Sequence, residues 1–280
     1  MEDLRQIQLK CLEILDIVVG ICQKHNISYS LCGGTVVGAH LQHGFLPWDD
    51  DIDIMMTREN YNKFIEVTPS CLPEGYSIVN YQMGSELSTV LGINFSKVMD
   101  ERTTLVQSNG LVLGSFVDIT VYDKVPKSPL RHIDLFLYKW AMSINRGKMP
   151  GKSLKNRIRS FLVDHAYPSR IPYLRFFQRV VERLSHTSKY TYRELFGAYY
   201  FANTIPYSAN IFEHYTTIEF EGRQLMIVRD YIEYMQTRYD RTDFHEPKEK
   251  QVPLHYAYIN FNLPYKEYLK THPQKQHDSF

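Results

Sequence analysis

The residues of this chain whose types and spacing can do chemistry lie between Gly33 and Asp53: Gly33-Gly34-Thr35, then Pro47-Trp48-Asp49-Asp50-Asp51-Ile52-Asp53. Four carboxylates within five positions repel one another unless a cation joins them. Successive side chains of a strand point to opposite faces, so Asp49, Asp51 and Asp53 are expected on one face and Asp50 on the other. Ionised carboxylates placed that way require a compensating charge, and a hard divalent ion with oxygen ligands, Mg²⁺ or Mn²⁺, fits best. The di-glycine upstream permits close backbone approach and a turn into a helix, a common way to hold phosphate. Phosphate beside a carboxylate-bound metal points to phosphoryl or nucleotidyl transfer. The Asp-x-Asp-x-Asp spacing also matches the first half of a calcium EF-hand loop. The sixth position is Ile54 instead of Gly and the twelfth Asn60 instead of Glu, which rejects that alternative.

The elements that must position these residues are readable in outline. Leu4, Ile7, Cys11, Ile14, Leu15, Val18 and Cys22 recur at helical spacing and predict an amphipathic helix over 3–24. Ile27, Tyr29 and Leu31 predict a strand ending at the di-glycine, and Thr35 is the expected N-cap of a short helix from Val36 to about Gln42. The next strand is expected over Asp51–Met56, followed by a helix capped by Thr57 and running to about Val67. Further strands are expected at Tyr76–Tyr81, Leu91–Val98 and Ser115–Tyr122, with a helical pattern over 131–185. Thr216–Phe220, Glu221-Gly222 and Arg223–Val228 read as a hairpin with a tight turn, and Asp230–Tyr239 as a helix.

At 280 residues and 44% hydrophobic content the chain can bury a substantial core. A formal net charge of +1 and a pI near 7.7 argue against a nucleic-acid partner. Cys11, Cys22, Cys32 and Cys71 form no Cys-x-x-Cys pair, so neither a disulfide framework nor a zinc site is expected. The start at Met1-Glu2-Asp3-Leu4-Arg5 does not read as a signal peptide, and no apolar run approaches a membrane span. A cytoplasmic protein is expected, at most peripheral at the inner face of the cell membrane. Residues 146–183 carry Lys148, Lys152, Lys155, Arg157, Arg159, Arg170, Arg175 and Arg179 with Phe161, Leu162, Phe176 and Phe177 between them. Such a stretch suits an anionic membrane surface or a pyrophosphate-linked substrate, and equally a solvated helical face.

The order Gly-Gly-Thr, helix, Asp-Ile-Asp resembles the nucleotidyltransferase fold typified by DNA polymerase β. In that fold a glycine-led helix contacts donor phosphates, two carboxylates on the next strand hold metal, and a third comes from a later strand. Asp118, the acidic residue of Phe116-Val117-Asp118-Ile119, is the expected third ligand, since a carboxylate among those apolar neighbours is costly to bury without a cation. Leu31–Ala39, His43–Ile54 and Arg58–Tyr61 narrow the resemblance to the LicD family, which is similar to the fukutin and fukutin-related transferases. Phe116–Ile119, Phe196-Gly197, Ile205-Pro206, the stretch from Phe220 to Tyr239 and Pro253-Leu254-His255 fit its later blocks.

The resemblance implies an α/β (α+β) protein: a nucleotidyltransferase-like core over 1–125, a basic, aromatic helical insertion over 126–200, a C-terminal hairpin and helix over 201–270 completing the core, and a frayed tail over 271–280. The implied activity is metal-dependent transfer of a phosphorylated alcohol from CDP-choline or another CDP-alcohol. The acceptor would be a hydroxyl of a cell-surface glycan or lipid-linked oligosaccharide (capsule, teichoic acid or lipopolysaccharide), and CMP would leave. Mg²⁺ or Mn²⁺ is expected on Asp51, Asp53 and Asp118 with Asp49 as a further ligand or support, and Asp50 in a structural role. Asp118 stands as ligand, general base or both. Gly33, Gly34, Thr35 and Lys97 are the expected donor-phosphate contacts, although Lys97 also reads as a lysine snorkelling from a half-buried strand. Phe45 and Trp48 either face a quaternary ammonium or anchor the loop, and His255 is a candidate substrate contact. His40 and His43 receive no ligand role. The rival functions are nucleotidyl transfer from a nucleoside triphosphate and non-catalytic binding of a glycan or lipid.

Overall fold

The first helix shows how the sequence builds the support for the site. In a computed structural model of the chain, α1 spans Glu2–Lys24 and buries Ile7, Cys11, Ile14, Leu15, Val18 and Cys22 of the predicted stripe, while Leu4 at its start is half-buried. Removing each such side chain from water stabilises the fold by about 1.5–3 kcal/mol before conformational entropy is counted. The structure describes residues 2–80, 95–108, 110–126, 154, 157, 158, 161, 176, 179, 180, 183, 190–194, 206–244 and 256–272. The expected strand residues Tyr81 and Leu91–Asn94, most of the helical pattern over 131–185, and His255 lie outside them.

The described elements form a mixed α/β fold: β1 (Ser30–Leu31), α2 (Gly33–Gln42), β2 (Asp53–Thr57), α3 (Arg58–Cys71), β3 (Tyr76–Val79), β4 (Phe95–Gln107), β5 (Val112–Pro126), β6 (Tyr190–Glu194), β7 (Pro206–Tyr207), a 3₁₀ turn (Ala209–Phe212), β8 (Tyr215–Phe220), β9 (Arg223–Val228), α4 (Tyr231–Tyr239), β10 (Tyr256–Asn260) and α5 (Tyr265–Thr271). The chain divides into two compact units. One comprises residues 1–78, 97–121 and 210–274, the other 79–96, 122–209 and 275–280.

In the first unit the sheet order is β1-β2-β5-β4-β10, with β3 also on β4. β1 and β2 run antiparallel with Ser30 opposite Met55 and Leu31 opposite Ile54, and β10 runs antiparallel to β4. β8 and β9 form the expected hairpin, in register from Tyr215–Val228 to Phe220–Arg223. At its tip Glu221 and Gly222 have φ of 50° and 72°, the paired positive values of a type I′ turn. In the second unit Tyr122–Pro126 of β5 pairs antiparallel with β6, which pairs with β7, and the rings of Tyr122 and Tyr207 pack at 5.3 Å.

Four local expectations are corrected. The helix expected from Val36 begins at Gly33 with Cys32 as N-cap, so Thr35 lies inside its first turn and caps nothing. Its hydroxyl instead accepts the Asp53 N–H, a partner that helix periodicity could not reveal. The strand expected from Asp51 begins at Asp53, and residues 49–52 belong to no strand. Strict alternation of Asp49, Asp51 and Asp53 along one strand is therefore not what assembles them. Ile27 and Tyr29 are buried as their spacing predicts, but only Ser30–Leu31 pair as β1. α3 also runs to Cys71, past the expected end at Val67, with Pro69 accommodated in its last turn.

Candidate functional site

Asp51, Asp53 and Asp118 each place a carboxylate oxygen so that all three lie within 4.8 Å of one another. The chain brings them together by three different means. Asp53 opens β2, and its backbone is gripped by the first turn of α2: the Cys32 N–H donates to the Asp53 carbonyl at 3.1 Å, and the Asp53 N–H donates to Thr35 Oγ1 at 2.9 Å. Asp118 comes from the neighbouring strand β5, where its N–H donates to the Ile52 carbonyl at 2.9 Å. Asp51 sits two residues before β2, outside any strand.

The di-glycine has a role beyond the one expected of it. A Cβ on Gly33 would collide with Asp53 Oδ2, and one on Gly34 would lie 2.7 Å from Asp49 Oδ2. Gly33 also holds φ at +58°, where side chains are disfavoured. The glycines thus make room for two carboxylates against the start of a helix, whose positive end favours negative charge. The Gly33 N–H donates to the hydroxyl of Tyr234 at 3.4 Å.

The electrostatics are those of a buried acid cluster whose members disfavour one another's charged forms. Burial, then the charge of Asp51, pushes Asp53 well above the ordinary carboxylate range, with Asp118 and Asp49 adding to the rise and Arg238 opposing it. Asp49 is pushed up to about 8, by burial first and then by Asp51 and Asp50. Its Oδ2 is buried and accepts no hydrogen bond from the described residues. Asp118 is pushed up to about 7 by burial and Asp51, against the lowering effect of Lys97. Carboxylate oxygens gathered this closely could hold a hard divalent ion such as Mg²⁺. The donor set is all carboxylate, which favours Mg²⁺ or Mn²⁺ over softer metals.

Other predicted residues fall into place around the cluster. Lys97 donates to Asp118 Oδ1 at 2.5 Å, and its ammonium lies 3.5 Å from the centroid of the Phe116 ring. It is buried with its stem and head together, so it does not snorkel from a half-buried strand. Phe45 is buried edge-on against Phe220 at 5.0 Å, which makes it an anchor of the loop. Trp48 is half-buried. Asp50 is buried and stands outside the three-carboxylate cluster. His40 packs against Tyr231, and His43 is the exposed left-handed C-cap of α2.

The residues that sequence reasoning missed are those that hold the loop. Gln8 of α1 donates from Nε2 to the Asp49 carbonyl at 2.9 Å, and Arg5 donates to Gln8 Oε1 at 3.1 Å. Arg5 also donates to Glu221 Oε2 at 2.8 Å. Glu221, at the hairpin tip, donates its N–H to the His43 carbonyl at 2.7 Å and accepts the Phe45 N–H at 3.4 Å. Cys11 Sγ donates to the Phe116 carbonyl at 3.3 Å, below the strand that carries Asp118. From α4, Tyr234 reaches Gly33, and the charge of Arg238 acts on Asp53. The hairpin and α4 were both predicted as elements, yet nothing local in sequence ties them to residues two hundred positions earlier.

Residues 26–149 match the family model described as LicD/FKTN/FKRP, nucleotidyltransferase domain, a span that includes every carboxylate of the cluster. The chain is 30% identical over 270 residues to the lipopolysaccharide cholinephosphotransferase LicD of Haemophilus influenzae, an alignment covering 91% of this chain and 98% of that protein. It is also 26% identical over 100 residues to an uncharacterized protein of Rickettsia prowazekii, covering 36% of this chain and 37% of that one.

Proposed function

The chain belongs to the LicD family of phosphotransferases, and on that premise we propose that it transfers phosphocholine from CDP-choline to a hydroxyl of a lipopolysaccharide precursor, releasing CMP. The observation that carries this reading is the convergence of Asp51, Asp53 and Asp118 beside a glycine-led helix. A polymerase β-like core is the fold reading that goes with it. A full-length relative named as a lipopolysaccharide cholinephosphotransferase supports the transferred group and the acceptor.

Asp51, Asp53 and Asp118 would hold Mg²⁺ or Mn²⁺, with Asp49 beside Asp51 as a further ligand or support. The ion when bound would neutralise the diphosphate and the charge that develops on the departing CMP. The chain's own residues do the rest. In the transfer the acceptor oxygen bonds to the phosphorus of phosphocholine, the bond from that phosphorus to the CMP oxygen breaks, and the hydroxyl proton passes to a base. Asp118 is the candidate base, its orientation set by Lys97 on Oδ1. The start of α2 favours the negative donor through its aligned peptide dipoles. Trp48, half-buried beside Asp49, is the remaining aromatic candidate for the quaternary ammonium.

Peripheral contact with an anionic membrane, where a lipid-linked acceptor resides, is part of the same proposal. It is supported by exposed Leu154, Ile158, Phe161 and Phe176 alongside exposed Arg157, Arg179 and Arg183. Among the described residues no helix is long and apolar enough to cross a membrane.

Incubation with CDP-choline, Mg²⁺ and a lipopolysaccharide precursor is expected to release CMP and leave phosphocholine on the glycan. Pyrophosphate release from CTP, with no CMP from CDP-choline, would replace this reading with nucleotidyl transfer. Binding of the glycan without release of either product would replace it with a non-catalytic role.

A further inference from the structure

We infer that Arg238 is a donor-binding residue, whose guanidinium takes oxygens of the donor diphosphate on the Asp53 side of the acid cluster. The inference rests on the donor reading above and adds to it a residue that lies outside the matched nucleotidyltransferase segment of residues 26–149.

The placement begins with α4. This helix packs on α2 and buries Tyr234 completely, with the Tyr234 hydroxyl on the Gly33 N–H at 3.4 Å. Gly33 is the residue whose added Cβ would fall on the Asp53 carboxylate. Positions four apart on a helix share a face, so Arg238 lies one turn beyond Tyr234 on the side of α4 that meets α2. Its guanidinium carbon stands 5.7 Å from the centroid of the Tyr239 ring, and its positive charge is felt at Asp53.

The cations that act on Asp118 and Asp53, Lys97 and Arg238, differ in kind. Lys97 is buried, joined to Asp118 and seated on Phe116. Arg238 is half-buried, with its Nε buried. A guanidinium beside a cation site opposes the cation electrostatically, which makes it a poor choice if its purpose were metal binding alone. The arrangement gains when the third participant is an anion that meets both charges. A diphosphate is such an anion, and the planar fork of an arginine matches two phosphate oxygens at once.

Simple charge balance and donor recognition make opposite predictions for Arg238→Gln. If Arg238 binds the donor, the variant binds Mn²⁺ alone as tightly as the parent or more tightly, since a repelling charge is gone. Its affinity for CDP in the presence of Mn²⁺ falls about tenfold to a hundredfold, the loss of charge-assisted hydrogen bonds, and KM for CDP-choline rises in parallel with a smaller change in kcat. Unchanged CDP affinity, with Mn²⁺ binding tightened, would overturn the inference and leave Arg238 a counter-ion of Asp53. Arg238→Lys keeps the charge and loses the fork; if Arg238→Gln does not fold, reduced CDP affinity in the lysine variant supports the inference and parental affinity refutes it. Inorganic pyrophosphate with Mn²⁺ separates this from the donor question. Weaker pyrophosphate binding by Arg238→Gln supports the diphosphate contact even where the parent releases no CMP from CDP-choline, a result that would count against the donor reading alone.

Discussion

The segment from Gly33 to Asp53 and the segment from Glu221 to Arg238 meet at one site and contribute opposite things to it. The first supplies most of the charge: Asp51 and Asp53 share one cluster, Asp49 adds its charge to theirs, and the buried Asp49 Oδ2 finds no hydrogen-bond partner among the described residues. The second supplies no ligand of the cluster. It supplies restraint and counter-charge, through Glu221 on the loop, Tyr234 on Gly33 and Arg238 near Asp53. Reactive groups can be close in sequence because their chemistry demands close spacing. The groups that hold them need only be close in space.

If that division holds, the largest losses of activity belong to the first segment and to Asp118. Asp53→Asn and Asp118→Asn are each expected to lower CMP release by about a thousandfold or more, as loss of metal-assisted charge stabilisation does. Their effects on stability should differ in sign. Asp53→Asn removes a carboxylate repelled by three others, so the ion-free protein should melt at a higher temperature. Asp118→Asn leaves the Lys97 ammonium buried without its carboxylate, a change that costs about 3–5 kcal/mol in comparable pairs. Thermal melts of the two variants without divalent ions check this contrast, and equal shifts would remove the distinction between a ligand under repulsion and a ligand that is also an ion-pair partner.

Gly33 tests whether the helix start belongs with the charge or with the restraint. Gly33→Ala places a Cβ against Asp53 Oδ2 at a backbone φ of +58°, while Gly34→Ala meets Asp49 Oδ2 at 2.7 Å without that backbone demand. The left-handed conformation alone costs an alanine about 1–2 kcal/mol. Gly33→Ala is expected to lose about a hundredfold in activity through displacement of Asp53, and Gly34→Ala clearly less. Steady-state rates and Mn²⁺ affinities of the two variants decide it; a Gly34→Ala variant as damaged as Gly33→Ala would make Asp49 as important as Asp53.

The same contrast explains what could be read from sequence. Asp51, Asp53 and Asp118 were identifiable because a carboxylate next to other carboxylates, or alone among Phe116, Val117 and Ile119, is improbable without a cation. The amphipathic stripe of α1 and the Glu221-Gly222 hairpin were identifiable from periodicity and turn chemistry. The pairing of Lys97 with Asp118 was not, since one lysine on an apolar strand reads equally as a phosphate contact or a surface group. Neither were Gln8 and Arg5, which read as ordinary polar positions of α1. Gln8 is buried with its amide satisfied by the Asp49 carbonyl and by Arg5.

The acid cluster also predicts an unusual dependence on pH. Asp118 and Asp49 bind protons up to about 7 and about 8 in the folded, ion-free protein, because burial and neighbouring carboxylates disfavour their charged forms. The unfolded chain releases the same protons near pH 4. Between those limits the folded state holds more protons than the unfolded one, so stability falls as pH rises from about 4 to about 8. A divalent ion displaces the protons and reverses the loss. The rise in Tm on adding Mg²⁺ is therefore expected to be larger at pH 8 than at pH 6, and an equal rise at both would mean that these carboxyls are already ionised without the ion.

The smallest expected effect belongs to the restraint. Glu221 occupies the first position of a type I′ turn at φ 50°, where asparagine is favoured and glutamate is not. Its side chain accounts for its presence there, since it joins the Phe45 N–H to Arg5, and Arg5 leads through Gln8 to the Asp49 carbonyl. Glu221→Asn should relax the turn while releasing the loop, so stability and activity move apart: Tm unchanged or raised, kcat lowered about twofold to tenfold, and more Mg²⁺ needed for half-maximal rate. The exposed Arg5–Glu221 pair adds little by itself, which is why the loss stays modest. A parental kcat in Glu221→Asn would show that the acidic loop keeps its shape without the hairpin, and that the hairpin's share of the site begins only at Tyr234.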